Sequence, residues 1–126
     1  MKINSMVTAL IVENVDRTVE FYEKALGFEV VGEYRHDDVR FFANMANGDY
    51  HIYIATGKSK VPRNIRRPGH EDTEIYFTVD DIEKVHARLT ADGFQVGDIE
   101  NTFYKTREVK LIDPDGYFLA IGQRVE

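Results

Sequence analysis

Apolar and polar positions follow two different periods along this chain, and the switches between them mark out its elements. Met6–Val12 (MVTALIV) is an almost unbroken apolar run rich in β-branched residues, which predicts a buried strand. Asn14 or Asp16 can cap a following helix, since either side chain can accept a hydrogen bond from the open N–H groups of a first turn. Val15, Val19, Tyr22 and Leu26 stand at i, i+4, i+7 and i+11 and so share one helical face, and Gly27 sits where a glycine ends a helix. Phe28–Gly32 and Val39–Ala43 read as short strands. Asn47-Gly48 is a tight-turn signal ahead of the alternating segment Tyr50–Ala55.

Gly57–Thr73 breaks the pattern. It holds two of the three prolines and five of the sixteen basic residues and shows no periodicity, so it reads as a linker or long loop. The pattern then starts again. Glu74–Val79 is a strand, Asp80 or Asp81 can cap a helix, Ile82, Val85 and Leu89 give that helix an apolar face, and Gly93 ends it. Phe94–Val96 and Val109–Ile112 are expected strands, Asp113-Pro114-Asp115-Gly116 a turn, and Tyr117–Ile121 the last strand. The second half repeats the first. VENV at Val12–Val15 matches VDDI at Val79–Ile82, GFEVVG at Gly27–Gly32 matches GFQVGD at Gly93–Asp98, and Gly48 matches Gly116, all at offsets of 66 to 68. Each unit reads strand–helix–strand–strand–strand, and such a unit must cover its sheet by packing on another unit or chain.

Strand parity separates two faces. Leu10, Val12, Ile52, Ile54, Ile75, Phe77, Val79, Leu119 and Ile121 are expected to face the helices. Val7, Ala9, Ile11, His51, Tyr53, Ala55, Glu74, Tyr76, Thr78, Phe118, Ala120 and Gly122 then face the other way. That second face mixes aromatic, polar and small residues, the lining expected of a ligand cup.

Composition narrows the class. A chain of 126 residues suits one domain, and 43% hydrophobic with 30% charged residues excludes a disordered one. The absence of cysteine excludes disulfide frameworks, thiolate metal sites and cysteine nucleophiles. A net charge of −6 argues against non-specific nucleic-acid binding, which needs a basic face. Setting Gly57–Thr73 aside leaves 11 basic and 20 acidic residues, a balance of −9. The start MK followed by Met6–Val12 is better read as a strand than as a signal peptide, and no apolar run approaches the ~18–20 residues of a membrane span. The expectation is a cytoplasmic protein. No P-loop, dinucleotide glycine fingerprint, G-x-S-x-G or H-E-x-x-H motif is present in the sequence.

The pattern V-x-x-V-x-x-[ST]-x-x-F-Y-x-x-x-L-G-F at Val12–Phe28, with the late D-P-D-G-Y at Asp113–Tyr117, resembles the vicinal-oxygen-chelate superfamily. That superfamily includes glyoxalase I, bleomycin-resistance proteins, extradiol dioxygenases, fosfomycin-resistance enzymes and methylmalonyl-CoA epimerase. The resemblance implies an α+β fold in which two paired βαβββ modules form a cup-shaped mixed sheet with helices on its outer face, in a homodimer. One domain over 1–126 would comprise a first module to about residue 56, a linker over 57–73 and a second module from 74. Enzymes of the superfamily hold a divalent metal at four cup positions, which fall here on Val7, Tyr53, Glu74 and Ala120. The repeat agrees with that assignment, since Val7 and Glu74, and Tyr53 and Ala120, are each 67 apart. Such a site needs at least three donors, and valine and alanine supply none, so no metal and no other cofactor is expected.

Glu74 is the candidate catalytic residue. A carboxylate partly withdrawn from water would suit a general base or a partner for a cation, while the plainer reading is a solvated or salt-bridged glutamate opening a strand. Tyr53 either hydrogen-bonds a ligand or fills the space of the missing metal. His51 shares its parity and is either a pocket residue or a rim residue, and with Glu74 it could form an acid–base pair or a weak metal site. Tyr76 and Phe118 offer aromatic surface for a planar ligand, or core filling. Phe42 and Arg40 share one parity on the third strand, whose face parity alone does not assign. His86 on a helix, and His36 and His70 in loops, read as structural or solvated. The basic loop Lys58–Arg67 is a solvated crossover, or folds over the cup to meet an anion.

The expected function is metal-independent small-molecule binding, similar to the bleomycin-resistance branch, with a cationic or aromatic compound sequestered. The alternative is a glyoxalase- or dioxygenase-type lyase, isomerase or oxygenase with a rearranged metal site using Glu74, His51 and His70, or with Glu74 as a general base. A noncatalytic domain kept for dimeric assembly is the third.

Overall fold

The apolar runs and helical faces of the sequence are realised as ten elements in a computed structural model that describes residues 1–56 and 73–125. The expected linker with its basic segment Lys58–Arg67 and His70 lies outside the described residues, apart from Thr73. In chain order the elements are β1 (Thr8–Ile11), α1 (Val15–Leu26), β2 (Glu29–His36), β3 (Val39–Asn47), β4 (Tyr50–Ala55), β5 (Glu74–Thr78), α2 (Ile82–Ala91), β6 (Glu100–Asn101), β7 (Thr106–Ile112) and β8 (Phe118–Arg124). The fold is α+β, and the chain divides into two compact units, one carrying α1 and β1–β4 and the other α2 and β5–β8. Among the described residues, no helix is long and apolar enough to cross a membrane.

Both units have the same topology. The strand orders are β1-β4-β3-β2 and β5-β8-β7-β6, with the first strand parallel to the last and the other pairs antiparallel. Ala9 lies opposite Tyr53 in one sheet and Tyr76 opposite Ala120 in the other, so the repeat of 67 residues survives in the hydrogen-bond register.

Each helix begins on the cap its sequence offers. Asn14 accepts from the Arg17 N–H at 3.0 Å and Asp81 from the Lys84 N–H at 3.1 Å. Gly27, at φ 70°, ends α1 in the left-handed region, and the N–H groups of Gly27 and Phe28 bond back to the carbonyls of Glu23 and Tyr22. In the first unit Val15, Val19, Tyr22 and Ala25 of α1 are buried against Leu10, Ala43, Met45, Ile52 and Ile54. In the second, Ile82 and Leu89 of α2 are buried with Val109, Leu111, Leu119 and Ile121. Among these, Leu10, Ile52, Ile54, Leu119 and Ile121 are positions that strand parity points to the helices, and Ile75 and Phe77 are half-buried.

Several segments depart from the sequence reading: β2, β3 and β7 are longer than expected, β7 starting at Thr106 rather than Val109. Phe94–Val96 forms no strand: the N–H groups of Gly93 and Phe94 bond back to Thr90 and Leu89 to finish α2, Gly97 makes a single bond to the Lys110 carbonyl, and pairing with β7 begins only at Glu100–Asn101. His36, expected in a loop, instead ends β2, and Asp37 and Asp38 turn the chain into β3 at φ 48° and 63°. A two-residue hairpin turn of this kind needs positive φ, which aspartate tolerates better than most residues, so the turn forms without the glycine that a sequence scan looks for. The late D-P-D-G-Y motif is a turn built on Asp113, whose buried carboxylate accepts from the N–H groups of Asp115 and Tyr117 at 2.8 and 3.0 Å.

Leu119 is fully buried under α2, and replacing it by alanine leaves a cavity between sheet and helix. Leu119→Ala is expected to lower unfolding stability by about 2–5 kcal/mol in urea titrations. Truncation of the exposed Val39 should cost under ~0.5 kcal/mol.

Candidate functional site

In the second unit the face of the sheet turned away from α2 is built by register. Glu74, Tyr76 and Thr78 of β5 lie opposite Phe118, Ala120 and Gly122 of β8, and these lie opposite Ile112, Lys110 and Glu108 of β7. At its centre Glu108 is only 2% exposed. An isolated buried carboxylate would be costly, and this one is surrounded by donors. Oε2 accepts a short hydrogen bond from the Tyr76 hydroxyl and another from Thr106 Oγ1 at 2.8 Å, while Oε1 accepts from the Tyr104 hydroxyl at 2.8 Å. Lys110 Nζ approaches Oε1 to 3.5 Å and bonds both oxygens of Glu74, at 3.1 and 3.3 Å. Glu74, Lys110 and Glu108 therefore carry one net negative charge between them.

Burial by itself would raise the Glu108 pKa, but the hydrogen bonds from Tyr76, Thr106 and Tyr104 and the charge of Lys110 outweigh it and hold the carboxyl below its ordinary value. Burial likewise works against the Lys110 cation, and the bond and charge of Glu74 together with Glu108 reverse that and raise its pKa. The phenols move upward: Tyr76 through burial and then its bond to Glu108, Tyr104 through its bond to Glu108 and then burial. Both phenols thus keep their protons, and Glu108 stays ionised, at neutral pH.

Gly122 makes this packing possible. A Cβ there would overlap the Tyr76 hydroxyl and come within 2.8 Å of its Cζ and 3.3 Å of Glu108 Cγ. Any side chain at 122 therefore pushes the Tyr76 ring off Glu108.

In the first unit the corresponding face is aromatic. Tyr34, Phe42 and Tyr53 form a row across β2, β3 and β4 with ring centroids 5.6 and 5.3 Å apart, and Tyr34 also stacks on Phe41 at 6.2 Å. Spacings of this size are favourable for offset and tilted aromatic pairs. His51 shares the face and its Nδ1 lies 2.8 Å from Asn44 Oδ1. Arg40 is not among them. β2 pairs Tyr34 with Phe42 but Arg35 with Arg40, so Phe41 is an extra residue in the ladder, and beyond this bulge Arg40 reaches Asp16 in the first turn of α1 at 2.8 Å and Glu33 at 3.1 Å. The structure thus joins Tyr53, His51 and Phe42 on one sheet face, and Glu74, Tyr76 and Phe118 on another. It gives Arg40 to an ion-pair network on the helix side.

The donor chemistry at the four positions assigned by resemblance does not suit a divalent cation. Val7 and Ala120 have no side-chain donor atom, Ala120 is fully buried, the Tyr53 ring packs on Phe42, and Glu74 is bonded to Lys110. Among the described residues, no three His, Cys, Asp or Glu side chains are grouped as a metal site would require. His86 on α2 lies 3.1 Å from the Gly97 carbonyl, and His36 Nε2 lies 3.3 Å from Asp37 Oδ2.

Glu108, Tyr104, Thr106 and Lys110 are absent from the sequence-derived candidates. The available signal was alternation: Thr106, Glu108 and Lys110 interleave with Val109 and Leu111, so one carboxylate stands at a position facing away from the helix. Starting this strand at Val109 cut the charged residue off. An open groove of about 480 Å³ also borders β7, lined by Gln95, Val96, Gly97, Lys110, Leu111 and Ile112.

Comparison with known proteins agrees with this architecture. The pattern of the Glyoxalase/Bleomycin resistance protein/Dioxygenase superfamily matches residues 2–121. The uncharacterized protein YycE of Bacillus subtilis (strain 168) is 26% identical over 114 residues, covering 82% of this chain and 76% of that protein. Among solved structures, TnmS3, an antibiotic binding protein from Streptomyces sp. CB03234, superposes with a TM-score of 0.76 at 20% identity over 99% of both chains. A glyoxalase/bleomycin resistance protein/dioxygenase from Nocardioides gives a TM-score of 0.79 at 17% identity, over 100% of this chain and 86% of that one.

The Glu108 cluster has a pH signature. Because its carboxyl is held below the ordinary value of 4.5, its contribution to stability is present above pH 4.5 and is lost as pH falls through the lowered folded value. Glu108→Gln is expected to cost about 1–3 kcal/mol at pH 7. The gap in melting temperature between wild type and variant should close as pH drops below 4.5, which a thermal-melt series from pH 7 to 3 measures. Gly122→Ala should also destabilise the protein, and Tyr76→Phe in the same chain should recover part of the loss by removing the clashing hydroxyl.

Proposed function

The chain belongs to the Glyoxalase/Bleomycin resistance protein/Dioxygenase superfamily, and on that premise we propose that it is a small-molecule binding protein that works without a resident divalent metal. The observation that carries this reading is the chemistry of the sheet faces turned away from the helices. Aromatic rings stand where a planar ligand can stack, on the Tyr34–Phe42–Tyr53 row and at Tyr76 and Phe118, while the four positions assigned to metal carry Val7, Tyr53, Glu74 and Ala120. Tyr34 and Tyr76 are 65% and 41% exposed, so part of this surface is open to a ligand.

The ligand class in this reading is a cationic or aromatic compound, held by sequestration and released unchanged. The overall charge of −6 favours the approach of a cation over that of an anion. TnmS3, an antibiotic binding protein, has a function of the same kind and supports the reading by likeness of fold. The reading includes a homodimer in the cytoplasm, with which a chain lacking cysteine is compatible.

Two measurements test it. Elemental analysis of protein purified without chelator should find no stoichiometric divalent metal; a full equivalent that is lost in Glu74→Ala overturns the metal-free reading. Thermal-shift screening with cationic aromatic drugs should raise the melting temperature by several degrees for at least one compound, since a ligand at 100 times its Kd adds about 2.7 kcal/mol. The shift should shrink in Tyr76→Ala, Phe118→Ala or Phe42→Ala, and no response to any compound counts against binding.

A further inference from the structure

Proton bookkeeping around Glu108 narrows what can bind beside it. This step rests on the small-molecule reading above and specifies its ligand. An ionised carboxylate only accepts hydrogen bonds, and a hydroxyl has a single proton to give. The protons of Tyr76, Tyr104 and Thr106 all go to Glu108. Thr102 Oγ1 lies 2.7 Å from Thr106 Oγ1, whose proton is already committed, and 3.2 Å from the Thr106 carbonyl, so its own proton also stays inside the cluster. Lys110 turns its ammonium to Glu74 and Glu108. The network therefore has no hydroxyl proton left over. Thr106 also approaches both phenol oxygens, but its one proton cannot serve them and Glu108 together, so the remaining capacity of the network is lone pairs, chiefly on those phenol oxygens.

Charge points the same way. The two carboxylates outnumber Lys110 by one, and the bonds from Tyr76 and Tyr104 to Glu108 make their oxygens better acceptors, because each proton is partly drawn toward the carboxylate. Tyr76 and Tyr104 are 41% and 51% exposed, so their rings also offer faces to a cation. We propose that Tyr76, Tyr104 and Glu108 form a recognition site for a protonated amine, in which the phenol oxygens accept its N–H groups and the site discriminates against carboxylates and other groups that bring only acceptors. Tyr76 and Tyr104 are the binding residues. Glu108 is a positioning residue that sets which way their protons point.

The discriminating experiment compares one aromatic skeleton carrying three head groups: 2-naphthylmethylammonium, 2-naphthylmethanol and 2-naphthoate. Each is titrated calorimetrically into the full chain at pH 7. The amine is expected to bind at least ~10-fold more tightly than the alcohol, as a charge-assisted hydrogen bond outweighs a neutral one, and the carboxylate more weakly than both. Tyr76→Phe and Tyr104→Phe keep the rings and remove the acceptors, so each should lower amine affinity several-fold while leaving the alcohol within about twofold. Glu108→Gln can donate from its amide and free a phenol proton to point outward, which should shrink the preference for amine over carboxylate. Circular dichroism confirms that each variant is folded, and if Glu108→Gln is not, the two phenylalanine variants decide. Equal binding of all three compounds, or an amine preference unchanged in both phenylalanine variants, overturns this inference and leaves small-molecule binding standing. Failure of all three compounds to bind also overturns this inference, while the thermal-shift screen decides small-molecule binding by itself.

Discussion

Side chains on a strand alternate between the two faces of a sheet, and among the described residues of each unit only one of those faces has a helix on it. Everything else follows from that asymmetry. Leu10, Ile52, Ile54, Ala43 and Met45 are buried under α1, and Val109, Leu111, Leu119 and Ile121 under α2, because their parity leaves them nowhere else to go. The intervening positions are released from making that core. They carry Tyr53, His51 and Phe42 in one unit and Tyr76, Glu108, Lys110 and Phe118 in the other. A one-residue slip in any strand would exchange the two sets.

The same register answers a problem of cost. Burying Glu108 without partners would be strongly unfavourable, and the sheet supplies Tyr76 from two strands away, Thr106 from the same strand and Tyr104 from the chain just before it. Tyr76 reaches across β8 only because the residue between them is Gly122. A glycine, a buried acid and a phenol on three neighbouring strands are thus one device. In the first unit the equivalent positions hold Ala55, Phe42 and Ala9, and the network is replaced by ring-on-ring contact between Phe42 and Tyr53. The duplication conserves the fold while the chemistry of the two faces diverges.

This divergence shows how two units of one fold can present different chemistry on the faces turned away from their helices. The helix-facing core and the local turns, including the Asn14 cap, Gly27 and the Asp113 turn, hold the fold of each unit. The opposite faces differ between the units: aromatic rings line the first, and the second buries Glu108, Ala120 and Gly122. Fold and site chemistry are set by different residues, and neither determines the other.

The period of apolar residues, the helix caps and the repeat near 67 residues were enough to read two βαβββ units, the helix-facing core and the faces that carry Tyr53, Glu74, Tyr76 and Phe118. These features are local or periodic, and backbone geometry translates them directly into structure. What sequence could not supply were contacts between residues far apart in the chain. The bulge at Phe41 that turns Arg40 toward Asp16, the ion pair from Lys110 to Glu74 and the bond from Tyr76 to Glu108 each join different strands or a strand and a helix. Their existence depends on register, and register is a property of the assembled sheet. Periodicity in the chain thus fixes the facing of residues in unbroken strands, while the facing of Arg40 beyond its bulge and the choice of which side chains meet come from packing, because a hydrogen bond depends on distances of a few tenths of an ångström.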